Sequence, residues 1–225
     1  MPSPLETRAA LGLLTDGAVA TAGQVLEATS GSPEARRLAL LNDIPQVIGY
    51  YADGSAALAA DFYEDSRTLA GVRAPFATQL VIADRVVKIR RAIAWAADPL
   101  FDGDTDTTLA RLSEVVQPEV ARPFRDTITG NRARDGQSIG WRRVTVGGCK
   151  LCRMLADRGA VYKESTVRFA AHPNCHCTAE PLFVGQDPGP EASVMQYVAS
   201  KKHRSTKQRA ELRDYLNSFY EDFPG

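Results

Sequence analysis

Apolar positions recur every three or four residues over most of the first two-thirds of the chain, which is the period of an amphipathic helix. Ser32-Pro33 opens such a stretch: serine suits an N-cap and proline suits the first helical position. Leu38, Leu41, Ile44 and Ile48 follow at helical spacing, and Pro45 predicts a kink or a fresh start near Asp43. Tyr51, Leu58, Phe62 and Leu69 continue on one face until the run from Gly71 to Pro75 punctuates them. Residues 80–97 predict another helix, with Val86, Ile89, Ile93 and Ala97 inward and Lys88, Arg90 and Arg91 outward. Residues 98–106, rich in Asp, Gly and Pro, predict a loop. Leu109, Leu112, Val116, Val120, Phe124 and Ile128 then keep the helical spacing, with Pro118 and Pro123 predicting a kink or a split into two helices.

The period changes after a break over residues 130–140. Trp141 to Val146 alternates and is β-branched, so it predicts a short strand, with Trp141 in a core and Arg142 and Arg143 beside it. Cys149 to Ala156 predicts a short helix. Val161-Tyr162, Val167 to Ala170 and Thr178 to Val184 predict short strands, and the stretch from Gly185 a linker. Ser205 and Gln208 form a capping box ahead of a last helix striped with Leu212, Tyr215, Leu216 and Phe219.

A length of 225 residues is enough for one large domain or two modest ones. The hydrophobic share of 44% and charged share of 24% are those of a soluble globular chain. A net charge of zero argues against a chain built as a whole to coat nucleic acid or an anionic membrane, while leaving local patches open. The opening MPSPLETRAALGLLTDG lacks a basic segment followed by an unbroken apolar run, so no signal peptide is expected. No run of about 18 apolar residues predicts a membrane span. A reducing compartment is therefore expected, where cysteines serve as metal ligands or thiols rather than disulfides.

All four cysteines and two of the three histidines fall between Gly148 and Cys177. The order is C-x2-C, nineteen residues, then H-x2-C-x-C. A cysteine pair two residues apart reaches one metal from a tight turn, and Gly147-Gly148 and Pro173 suit two such turns. Tetrahedral zinc takes four nitrogen or sulfur ligands in a closed structural site. The preferred set is Cys149, Cys152, His172 and Cys175. A four-cysteine set with Cys177 stands beside it, with His172 then donating a hydrogen bond to a ligand. His176 is a further rival. Glu164 and Glu180 read as surface residues. The expected fold is mainly α with a small α+β zinc-binding module. A helical domain spans 1–135, the zinc module 136–185, and a linker with a helical tail 186–225.

The stretch WRRV, CKLC and HPNCHCTAEPLF resembles the phage Mu F-like head morphogenesis family of minor capsid proteins. HPNCHC is similar to that family's H-P-x-C-x-C signature, and Cys149 to Cys152 to its upstream pair. Residues 56–67 and 206–216 resemble the actinobacteriophage members. His176 stands where relatives often carry arginine. The resemblance implies a structural, portal-associated head protein acting in capsid assembly, DNA packaging or ejection. Its partners would be the portal protein, other head proteins and, non-specifically, packaged DNA, with no membrane. Its place would be the capsid interior or portal vertex, and the host cytoplasm during assembly.

Two other functions compete. A capsid maturation protease needs a free histidine beside a nucleophile. Only His203 is left over from the cysteine cluster, flanked by Ser200 and Ser205 without a G-x-S-x-G elbow, so no enzyme is expected. A zinc-dependent DNA-binding protein would use the basic residues Lys201, Lys202 and Arg204, or Arg142 and Arg143, as phosphate or partner contacts. Lys207, Arg209, Arg213, Arg132 and Arg134 extend the same patches.

Overall fold

The computed structural model describes residues 2–145, 149–158, 169, 175, 177–187 and 205–220. Three long helices form the body: α1 (Pro4–Ala28), α2 (Pro33–Leu69) and α4 (Thr105–Arg134), with the shorter α3 (Val86–Ala96) and a 3-10 turn (Asp98–Asp102) between the last two. A hairpin-like pair of strands, β1 (Ser138–Val144) and β2 (Thr178–Phe183), with α5 (Lys150–Asp157) between them, precedes α6 (Thr206–Phe219).

The helix starts are written locally. Ser3 and Glu6 form a capping box on α1, Ser32 accepts the Ala35 amide ahead of Pro33, Asp104 accepts the Thr107 amide at 2.9 Å, and Ser205 with Gln208 caps α6. The prolines do not divide the helices as expected. Pro45 lies inside a continuous α2, and Pro118 and Pro123 lie inside a continuous α4 that runs through Gly130 to Arg134. Pro45 has no N–H to offer the Leu41 carbonyl four residues back. Arg90 supplies the missing donor, its Nη1 lying 2.6 Å from that carbonyl.

The buried clusters give the topology. Leu26 of α1, Leu40 of α2 and Leu112 of α4 share one cluster, and Leu11, Phe62 and Phe124 share another. Helix α1 is therefore antiparallel to α2, and α4 is parallel to α2. Two parallel helices need a return path, and residues 72–85 provide it. They are extended and run back along α4, where an expected helix from residue 80 would have begun. Asn131 accepts the Gln79 amide at 2.9 Å and donates to the Gln79 carbonyl at 2.8 Å. Thr127 accepts the Val81 amide at 2.9 Å, and Arg85 forms a bidentate pair with Glu119. Six extended residues span about 20 Å and twelve helical ones about 18 Å, so the two registers match. Side chains of α4 thus take the role a neighbouring strand would have. Val86, expected inward, is 53% exposed at the start of α3, while Ile93 and Ala97 are buried as expected. Leu38, Leu69 and Leu109 also sit outward, at the margins of their stripes.

Helix α1 is long and apolar enough by length and composition to cross a membrane. Its small apolar residues make it so, without the unbroken apolar run sought in the sequence. One face, including Leu11, Ala18, Ala22 and Leu26, is buried against α2 and α4.

β1 and β2 pair antiparallel, with Trp141 opposite Pro181, Arg142 opposite Glu180 and Arg143 opposite Ala179. Trp141, Ala179 and Phe183 join Phe62, Tyr63, Phe124 and Ile128 in one cluster, so the small sheet packs directly on the helices. Met154 and Leu155 of α5 pack with Leu212 and Tyr220 of the C-terminal segment. The expected strands at 161–162 and within 167–170 lie outside the described residues except for Phe169, and the linker does so beyond Asp187.

Candidate metal centre

Cys152 lies in the first turns of α5, and Cys175 and Cys177 lie just before β2. An i, i+2 spacing in extended chain puts both side chains on one side. All three are buried, and their sulfurs lie within 4.8 Å of one another. None of the four cysteines forms a disulfide. Cys152 Sγ and Cys175 Sγ are 3.8 Å apart. A tetrahedral ion with metal–sulfur bonds of about 2.3 Å separates its sulfurs by about 3.8 Å, whereas a disulfide brings them to about 2 Å. The donor set therefore fits a thiophilic cation, and three buried cysteines are placed to hold a metal ion.

The thiols polarise one another. Hydrogen bonds from Cys152 and Cys177 hold the Cys175 thiol below its ordinary range, and Arg125 adds to the effect. The same contacts with Cys175 and Cys177, with burial, push Cys152 up.

Two buried arginines flank the sulfurs. Arg125 of α4 is 4% exposed; its Nε donates to the Cys177 carbonyl at 3.0 Å and its Nη2 to the Cys175 carbonyl at 2.5 Å. Burial pulls its guanidinium down from its usual range, and the charge on Cys175 opposes that. Arg143, also 4% exposed, places Nη1 3.9 Å from Cys175 Sγ. Both guanidinium groups lie over the Phe169 ring, at 4.9 Å and 3.9 Å from its centre, and Trp141 stacks on that ring at 5.4 Å.

The expected site residues separate accordingly. Cys152, Cys175 and Cys177 come together. Cys149 is exposed at the N-cap of α5, one turn before Cys152. His172, His176 and Glu164 lie outside the described residues, as do Lys201, Lys202, His203, Arg204 and Ser200. Arg142 and Arg143, named together as phosphate or partner contacts, have different surroundings. Neighbours on a strand face opposite ways, so Arg143 turns inward to the sulfurs while Arg142 pairs with Glu180 at 2.7 Å and 2.9 Å. Glu180, read as a surface residue, is mostly covered by that pair. Ser205 is engaged as the α6 cap.

Arg125 was missed. Its signal was present: position 125 falls between Ala121 and Ile128 on the inward face of α4.

A family model described as VG15 protein matches residues 5–201. No curated protein and no solved structure matches the chain. The phage character implied by the cysteine motif is therefore supported, and the family matched is VG15 rather than the Mu F-like family named by resemblance.

Proposed function

The chain belongs to the VG15 protein family, a family of phage proteins, and on that premise we propose that it is a structural head protein whose cysteine cluster is a zinc staple. A phage protein of this kind acts in the virion or in the infected host cell. Within that range we assign it to head morphogenesis: a minor capsid component associated with the portal and other head proteins, working in assembly, DNA packaging or ejection. The family match over residues 5–201 supports the phage structural part of the reading. The cysteine cluster supports the staple, because three soft donors converge beside the join between α4 and β2. Zinc is the borderline-soft ion that such thiolates hold in closed, structural geometry.

The role is read as assembly rather than catalysis. Cys152, Cys175 and Cys177 are buried in one cluster, and Ser205 is engaged in a cap. Of the basic residues weighed for DNA contact, Arg143 faces the sulfurs and Arg142 is paired, which favours the structural reading over DNA binding.

Procapsids and mature particles purified from infected cells, analysed by mass spectrometry alongside a portal pull-down, test this. The chain is expected in the procapsid and with the portal. Its absence from both, together with cleavage of capsid protein by the purified chain, would point to the protease.

A further inference from the structure

We propose that Arg125 is the buried counter-charge and positioning residue of a thiolate-rich metal centre in which Cys177 is a ligand together with Cys152 and Cys175. The proposal rests on the metal reading of the cysteine cluster given above and extends it to the charge and membership of the site.

A guanidinium keeps its proton in proteins, so Arg125 brings a full positive charge into the interior. Burying such a charge is costly unless it is paired. Its hydrogen bonds go to two peptide carbonyls and its face to the Phe169 ring. None of these carries a net charge. Among the described residues, its charged neighbours are Arg122 and Arg143, both positive, and the thiols of Cys175 and Cys177. Among the described residues, the sulfurs are therefore the groups that offer the balancing negative charge.

That requirement sets a minimum on the ligands. A divalent ion held by two thiolates and two imidazoles is neutral and leaves Arg125 unbalanced. Three thiolates leave the centre with one net negative charge, and four leave it with two. The three sulfurs that the fold gathers are those of Cys152, Cys175 and Cys177. Cys177 thus joins Cys152 and Cys175 by geometry, in a three-thiolate set that meets the charge requirement.

The fork of Arg125 also has a geometric role. By holding the carbonyls of both Cys175 and Cys177, it fixes the segment ahead of β2 with its sulfurs toward Cys152 and anchors it to α4. A hydrogen-bonding residue behind the ligands commonly sets their orientation in this way.

Cobalt(II) titrated into the metal-free full-length chain, without oxygen and under reducing conditions, tests the proposal through the sulfur-to-cobalt charge-transfer band and the affinity. The wild type is expected to show the band of at least three thiolates, and Cys177→Ser to lose the contribution of one. Arg125→Met is expected to bind about 10–100-fold more weakly, and Arg125→Lys to recover part of the loss. An unchanged band in Cys177→Ser, or wild-type affinity in Arg125→Met, overturns the proposal. If Arg125→Met does not fold by circular dichroism, Arg125→Gln and Arg125→Lys decide: tighter binding by lysine supports the counter-charge, and equal binding overturns it. A wild type with no cobalt band withdraws the metal reading itself, a result distinct from the others.

Discussion

Asp135, just past the end of α4, joins three parts of the chain through one carboxylate. Arg67 of α2 donates to it at 2.7 Å, Tyr63 at 3.2 Å, and the Gln137 amide at 3.0 Å as the chain turns toward β1. Arg67 also grips the Ala74 carbonyl at the start of the extended return. Both partners of the ion pair are buried. Removing one leaves a buried charge unpaired, which costs about 3–5 kcal/mol. Asp135→Ala is expected to lose that much in urea unfolding. The neighbours Arg142 and Arg143 are expected to behave oppositely. Arg142→Ala gives up a half-exposed cross-strand pair and should cost less than about 1 kcal/mol. Arg143→Ala empties a buried place against Phe169 and Cys175 and should cost at least about 2 kcal/mol. The strand alternation that separates them was legible in the sequence. The sequence named the two arginines together as contacts, without assigning them to opposite faces.

At the scale of elements, the return segment over residues 72–85 is the sharpest difference from the sequence pattern. Its apolar residues at 80–82 carry no mark that separates a helix start from an extended strap. The partners that decide it, Thr127 and Asn131, lie about 50 positions downstream. Asn131→Ala removes both hydrogen bonds to the Gln79 backbone, which is only partly buried, so the cost should fall below the about 1–3 kcal/mol of a fully buried unmet group. Hydrogen exchange at Gln79 and Val81 is expected to speed up while the central amides of α4 stay protected; unchanged exchange would mean the strap is held some other way. The prolines were legible as interruptions of hydrogen bonding but not as tolerated ones. What rescues α2 at Pro45 is Arg90, on another helix. The caps, by contrast, depend on residues three apart and could be read directly from Ser32, Ser205 and Gln208.

Across the whole molecule, the sheet's inner face continues the helical core through Trp141, Ala179 and Phe183. The cysteine cluster sits at that seam, bound to α4 by Arg125. A helical body and a cysteine-bearing strand region were both legible from periodicity and spacing. Their fusion into one core was not, because local periods carry no information about which faces meet. Chelation of the metal is therefore expected to disturb the seam before the body. Trp141 fluorescence should change, since its stacking partner Phe169 lies beside the sulfurs, while most helical circular dichroism should persist. Metal binding should also weaken as pH falls, because protons compete for the thiolates.

The central claim is a metal held by these thiolates in a phage structural protein, and metal content tests it most directly. Elemental analysis of the purified chain, paired with a thiol titration, is expected to give one zinc per chain, with Cys152, Cys175 and Cys177 reactive only after chelation and unfolding. No bound metal, with all four thiols titrating in the folded protein, would contradict it.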